Sequence, residues 1–188
     1  MSRVVVPLVD GFEEIEALTI VDILRRAGID VVTAAVSSNP VSSSHSIRIE
    51  ADTSLAAVRE DPEVEMVVLP GGPGTAKLGE SADLRALVER LQAQDREIAA
   101  ICAAPSVLAG FGVIDGKRVT SFPAVRDKLE EVGADYREDP VVRDGRLTTS
   151  RGPGTAMDFA LELVAILEGE ATRDEVASRL MRPETATA

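Results

Sequence analysis

Short apolar runs alternate with longer amphipathic segments along most of the chain. The first run, RVVVPLV at 3–9, predicts a buried strand. The segment 13–28 predicts a helix, because acidic residues occupy its first turn, arginines its last, and a glycine ends it. By the same criteria we predict further strands at 29–36, 46–52, 63–70, 96–102 and 117–122, and further helices at 54–61, 82–94, 104–110, 124–133, 155–169 and 172–181.

Two local signals refine this pattern. The sequence PVVRDGRLTTS at 140–150 predicts a β-hairpin that turns at Asp144 and Gly145. Thr155 and Asp158 have the spacing of a capping box at the start of a helix. Alternation of nearly continuous apolar strands with helices predicts an α/β fold, with a mostly parallel sheet between two helical layers. In such a fold, the loops after Val9, Leu69 and Cys102 meet at the carboxyl edge of the sheet.

Length and charge narrow the possible functions. We expect a single domain at 1–181, because 188 residues with 45% hydrophobic composition suffice for one core, and a mobile tail at 182–188. A net charge of −12 disfavours nucleic-acid binding. No segment has the features of a signal peptide or a membrane span, and a single cysteine forms no internal disulfide, so we expect a cytoplasmic protein.

Cys102 allows two interpretations. A lone cysteine is often a small buried core residue. Here, however, the strand at 96–102 turns directly into a helix, and alanines occupy positions 100, 103 and 104. Small neighbours are what a nucleophile elbow needs, and a helix N-terminus lowers the pKa of a thiol.

A nucleophile needs a partner for proton transfer, and Glu16 is a better candidate than His45. His45 lies in the polar segment VSSSHSIR and is expected to be an exposed surface histidine. Glu16 shares a helix face with Ile20 and Ile23, so burial there raises the pKa of its carboxyl; the alternative is a carboxylate that points to water. One cysteine and one histidine without ligand spacing predict no metal site.

The segment VVLPGGPGTAK lacks the end of a P-loop and the third glycine of a dinucleotide fingerprint. Gly71 and Gly72 still allow backbone amides to approach a ligand. Together with the amides of Cys102 and Ala103 they could form an oxyanion hole, although an ordinary turn explains the glycines equally well.

Four motifs occur in one order: GFEEIEA, VVLPGG, AAICAAP and TSRGPGT. Together they resemble the ThiJ/PfpI family over nearly the whole chain, in the branch of the Parkinsonism-associated protein deglycase and bacterial YajL-like proteins. The resemblance implies a flavodoxin-like three-layer sandwich and a homodimer. No cofactor is expected, because a glyoxalase reaction is an internal redox rearrangement. The resemblance also implies a reactive Cys102, a conjugate Glu16, an oxyanion side at Gly72 and Ala103, and Phe122 and Pro153 beside the substrate.

Two departures from the family pattern bear on mechanism. Phe122 stands where human-type members carry a histidine, so a Cys-His dyad is not expected. Ala103 stands where the protease-like members have a histidine directly after the cysteine, which disfavours peptidase and amidotransferase chemistry.

The sequence leaves two candidate functions for this protein. One is glyoxalase or deglycase action on methylglyoxal-type α-oxoaldehydes or their early adducts with proteins and nucleotides. The other is a redox sensor or chaperone in which Cys102 is oxidised to a sulfinic acid.

Overall fold

A seven-stranded sheet forms the centre of the molecule in the computed structural model, which describes residues 3–182. Its order is β10-β11-β7-β6-β1-β2-β5, and every neighbouring pair is parallel except β10 and β11. The strands are β1 Arg3–Leu8, β2 Asp30–Ala35, β3 Val41–Ser42, β4 Arg48–Ile49, β5 Thr53–Ser54, β6 Val64–Leu69, β7 Glu97–Ile101, β8 Arg118–Val119, β9 Asp135–Tyr136, β10 Val141–Asp144 and β11 Leu147–Ser150.

Helices cover both faces of this sheet. They are α1 Glu14–Arg26, α2 Leu55–Val58, α3 Thr75–Glu80, α4 Ala82–Ala93, α5 Pro105–Gly110, α6 Arg126–Glu131, α7 Ala156–Glu168 and α8 Glu170–Arg179. The α/β sandwich expected from the sequence is confirmed.

Alternation along the strands divides the core into two layers. In β1, Val4 and Val6 pack with apolar residues of α1, α7 and α8, whereas Val5 points to the opposite face and packs with residues of α2, α4, α5 and α6. Both faces of the central strands are therefore buried, which explains their nearly continuous apolar sequence.

The predicted hairpin is confirmed. Val141 pairs with Ser150 and Asp144 with Leu147, while Gly145 takes the positive φ of 63° that this turn requires. No helix among residues 3–182 is both long enough and apolar enough to cross a bilayer.

Three local expectations were wrong. The segment 46–52 holds only the two-residue strand β4, which pairs with β3 in a small hairpin beside the main sheet. The segment 117–122 holds only the two-residue strand β8, which pairs with β9 outside the main sheet. Thr155 does not cap α7 through its side chain, because its hydroxyl is engaged by the preceding turn.

The tail expected to be mobile, 182–188, lies outside the described residues except for Arg182. The division into a domain at 1–181 and a tail therefore stays a prediction.

Candidate active site

Three loops meet at the carboxyl edge of the sheet, as the strand order requires. The strands β1, β6 and β7 are neighbours, so the loops that follow them lie side by side. The Gly74 amide donates to the Gly11 carbonyl at 3.0 Å, and the Glu13 amide donates to the Gly71 carbonyl at 2.9 Å. These bonds fix the glycine loop against the start of α1.

Cys102 sits at a strained turn between β7 and α5. Its φ is +64°, a left-handed conformation that non-glycine residues rarely adopt. The Cys102 amide donates to the Ser150 carbonyl at 3.0 Å, and its carbonyl accepts from the Phe122 amide at 2.8 Å. Bonds from both sides hold the strained backbone in place, so the predicted elbow is present.

Glu16 is completely buried on the inner face of α1, where Ile20 and Ile23 are buried beside it. The Gly71 amide donates to Glu16 Oε2 at 2.8 Å, whereas Oε1 has no hydrogen-bond partner among residues 3–182. The Cys102 thiol is a second group that interacts with this carboxyl. Of the two interpretations of Glu16, the structure supports the buried one.

The thiol and the carboxyl titrate as one pair. Burial, together with the charge of Glu13, raises the pKa of Glu16 to about 7, and the Cys102 thiol and the Gly71 amide oppose that shift. Burial, followed by the charge and hydrogen bond of Glu16, raises the pKa of Cys102 to about 12. A protonated Glu16 removes the repulsion and offers a proton to the sulfur, so each group's charge depends on the other.

The expectation of a lowered thiol pKa was therefore wrong. Burial and the neighbouring Glu16 outweigh any effect of the helix start, since Cys102 precedes α5, which begins at Pro105 with Ala104 as its N-cap. The backbone amides of Ala103 and Gly72 favour the thiolate and lower the pKa of Cys102 against the larger effect of burial.

The glycines of the loop leave room for this arrangement. A Cβ on Gly71 would lie 2.6 Å from Cys102 Cβ and 2.8 Å from Glu16 Oε2. Gly72 has a φ of +107°, and a Cβ there would lie 2.4 Å from the Gly11 carbonyl oxygen. A side chain at Gly71 would displace Cys102 or Glu16, and one at Gly72 would displace the backbone that leads into α1, so the glycines do more than form an ordinary turn.

Phe122 and Pro153 lie together on one side of Cys102. They line a depression of about 300 Å³, and a Cβ on Gly152 would lie 3.7 Å from the Phe122 ring. Phe122 is 45% exposed. This aromatic ring offers an apolar surface, where a histidine at the same position would offer a proton donor.

Sequence reasoning missed an interaction at the start of α1. Glu14 is buried, and it accepts from the Ser44 hydroxyl at 2.7 Å and lies 2.7 Å from His45 Nδ1. Although burial opposes the shift, the contacts with Ser44 and His45 hold the pKa of Glu14 at about 2. His45 is exposed as expected, but it is paired.

The same region contains one candidate set of metal ligands. Ligand atoms of Glu13, Glu14 and His45 lie within 4.8 Å of one another. Both carboxylates already have protein partners, since Glu13 Oε2 accepts the Glu16 amide at 2.7 Å. The group is explained as a network that anchors the helix start.

Comparison with known proteins places this geometry in a family. Residues 2–166 match the model of the DJ-1/PfpI family. The chain belongs to this family. Protein dj-1beta of Drosophila melanogaster is 43% identical over 176 residues, which cover 93% of this chain and 94% of the relative.

Two further members bear on the fold and the chemistry. The crystal structure of Drosophila melanogaster DJ-1beta superposes with a TM-score of 0.92 at 44% identity, covering 96% of this chain and 98% of that one. A Caenorhabditis elegans relative named glutathione-independent glyoxalase DJR-1.2 is 39% identical over 171 residues, 91% of this chain and 89% of the relative. The family thus includes a member named for glyoxalase activity.

Proposed function

We propose that this protein is a cofactor-independent glyoxalase-like enzyme that acts on methylglyoxal-type α-oxoaldehydes. The observation that carries the proposal is a completely buried carboxyl, with a pKa of about 7, and a thiol that meet at Gly71, where a Cβ would lie 2.8 Å from Glu16 Oε2 and 2.6 Å from Cys102 Cβ. The name of the Caenorhabditis elegans relative supports the same substrate class.

The first step forms a bond between sulfur and carbon. The Cys102 sulfur attacks the aldehyde carbon while the Glu16 carboxylate takes up the thiol proton, and Glu16 then gives this proton to the carbonyl oxygen to form a hemithioacetal. The amides of Gly72 and Ala103 are placed to stabilise negative charge at this centre.

The second step moves a proton between adjacent carbons. The Glu16 carboxylate removes the hydrogen of the former aldehyde carbon and returns a proton to the neighbouring ketone carbon through an enediol. The first carbon is oxidised and the second reduced by the same two electrons, so no external oxidant takes part. Water then hydrolyses the thioester, which frees the thiol and gives lactate from methylglyoxal.

The test follows lactate formation from methylglyoxal by the wild type, Cys102→Ser and Glu16→Gln. Both variants are expected to lose at least about a hundredfold in kcat/KM, because each lacks a group required in the reaction. The matched control is Glu80→Gln, an exposed acid at the end of α3, which retains wild-type kinetics. Equal rates in all four proteins would falsify the proposal.

We extend the proposal to early adducts of α-oxoaldehydes on proteins or nucleotides. Such hemiaminals and hemithioacetals release the aldehyde reversibly, so the same thiol would draw the equilibrium toward the free amine. Release of lactate from a freshly glycated peptide, dependent on Cys102, supports this extension. Release that is unchanged in Cys102→Ser contradicts it.

A second candidate function is redox sensing, favoured by the environment of the sulfur. Two amides and a protonated Glu16 would bind the oxygens of a sulfinate, and the chain contains no second cysteine to resolve a sulfenic acid. Peroxide titration followed by mass spectrometry is expected to show two added oxygens on Cys102. A thiol that stays unmodified removes this function.

We also propose a homodimer formed through the outer face of α1. Ile15 and Leu18 are 55% and 41% exposed on this face, and Ile47 of the small hairpin is 47% exposed nearby, where the Ser44 amide donates to the Phe12 carbonyl at 2.8 Å. Apolar residues this exposed favour contact with a second apolar surface.

Light scattering after size exclusion tests the dimer. Leu18→Glu is expected to give a monomer, because the substitution places a charge in the apolar contact. The control, Val132→Glu, changes an exposed apolar residue elsewhere and retains the dimer. A monomeric wild type, or a dimeric Leu18→Glu, rules out this interface.

A further inference from the structure

A cavity of about 340 Å³ extends from the candidate active site along α5. One end is formed by Gly72 and Ala103, which directly follow Gly71 and Cys102 in the chain. The other end lies beside Phe111, at the far end of the helix. With a rise of 1.5 Å per residue, the six residues of α5 separate the two ends by about 8 Å.

The far end of this cavity is positively charged. Arg85 of α4 and Lys128 of α6 line it, and none of the described lining residues is an aspartate or a glutamate. A cavity lined by cations alone is unusual in a chain with 32 acidic and 20 basic residues. An anion that enters the cavity therefore meets two cationic lining residues and no acidic one.

Arg85 is held in position by its neighbours. Its guanidinium carbon lies 4.3 Å from the centroid of the Phe111 ring, and Nη2 donates to the Gly110 carbonyl at 3.3 Å. Its ion pair with Glu89 is long, at 3.9 Å, and solvent-exposed, so the charge stays largely available.

Lys128 is a second, exposed cation. It forms no ion pair or side-chain hydrogen bond with any residue in 3–182. A flexible ammonium beside an oriented guanidinium suits a small carboxylate, which accepts hydrogen bonds from both groups.

We propose that this cavity is a specificity subsite for α-oxoaldehydes that carry a terminal carboxylate. The inference rests on the proposed function. The reactive carbonyl lies at Cys102, a short apolar chain passes Val107 and Val125, and the carboxylate reaches Arg85 and Lys128. The substrate 4,5-dioxopentanoate has this form. The proposed reaction converts this substrate and one water molecule into 2-hydroxyglutarate. The aldehyde carbon is oxidised to a carboxylate, and the ketone carbon is reduced to an alcohol.

The first arm of the test compares two substrates of equal chain length. The ratio of kcat/KM for 4,5-dioxopentanoate to that for the neutral 2-oxopentanal is expected to exceed one in the wild type. In Arg85→Gln with Lys128→Gln this ratio falls about tenfold, since two charge-assisted contacts are lost. Arg85→Lys restores part of it, and the control Arg179→Gln on α8 leaves it unchanged.

The second arm measures binding without turnover, by calorimetry with 2-hydroxyglutarate and 2-hydroxypentanoate. Tighter binding of 2-hydroxyglutarate that depends on Arg85 and Lys128 supports the subsite even if no oxoaldehyde is converted, and in that case the proposed function alone fails. Turnover of both substrates with a ratio that is insensitive to the double substitution overturns the subsite and leaves the proposed function intact. Equal affinity for the two acids also overturns the subsite.

Discussion

At the residue scale, the buried Glu16 carboxyl makes stability depend on pH. Its pKa is about 7 in the folded protein against an ordinary 4.5, so the folded state holds the proton more tightly. The resulting stabilisation is fully present below pH 4.5 and is lost as the pH rises through 7. The loss amounts to about 3 kcal/mol.

Glu16→Gln removes this dependence. The free energy of unfolding of the variant is expected to exceed that of the wild type by about 2–3 kcal/mol at pH 8 and to match it near pH 4.5. Urea denaturation at the two pH values measures the difference. A constant difference across this range contradicts the burial-induced pKa.

Gly71 provides a second test at this scale. Gly71→Ala is expected to abolish activity and to cost about 1–3 kcal/mol of stability, because the new methyl group collides with Cys102 and Glu16. Gly79→Ala is the matched control, since a Cβ there meets nothing within 4 Å. Chemical denaturation and lactate assays compare the two variants. Normal activity in Gly71→Ala would show that the loop has more room than its geometry indicates.

Sequence patterns pointed to the two residues that meet in the candidate active site but not to their electrostatics. The small neighbours of Cys102 and the helical spacing of Glu16 with Ile20 are visible in the sequence. The direction in which the pKa of the thiol shifts is not visible, because it depends on burial and on a carboxyl that lies 86 residues away in the sequence. The pairing of Glu14 with His45 was hidden for the same reason.

At the scale of elements, Thr155 organises the turn between β11 and α7. Its hydroxyl accepts from the Arg151 amide at 3.2 Å and the Gly152 amide at 3.1 Å, and it lies 2.7 Å from the Ser150 hydroxyl. Ser150 also accepts the Cys102 amide, so this turn supports the elbow.

Thr155→Val is expected to cost about 1–3 kcal/mol, because the isosteric change leaves partly buried amides without an acceptor. Thr172→Val is the control, since that hydroxyl contacts only the Glu168 carbonyl at an exposed site. Thermal denaturation distinguishes them. Equal losses contradict the role assigned to Thr155.

The long elements were predictable and the short ones were not. The helical spacing of apolar residues over thirteen positions predicts α1, and the turn sequence at Gly145 predicts the hairpin. The strands β4 and β8 have only two residues each, too few for a period to emerge. The helix α3 follows a glycine-rich loop and has no side-chain cap at its start, so it was not predicted.

At the scale of the whole molecule, net charge opposes the proposed dimer. Each protomer carries −12, so association brings together two like-charged bodies. Salt screens this repulsion without weakening an apolar contact. Dimer affinity, measured by analytical ultracentrifugation, is expected to rise between low and moderate NaCl. Affinity that falls with salt indicates an interface held by ion pairs instead.

The central claim is that Cys102 and Glu16 form one coupled titrating pair. Thiolate absorbance, followed against pH in the wild type and in Glu16→Gln with Cys102→Ser as the blank, tests it most directly. Burial and the ionised carboxyl together raise the pKa of the wild-type thiol to about 12, and the account predicts that the thiol of Glu16→Gln, which keeps only the burial, titrates at a lower pH. Superimposable thiolate curves for the two proteins would contradict it.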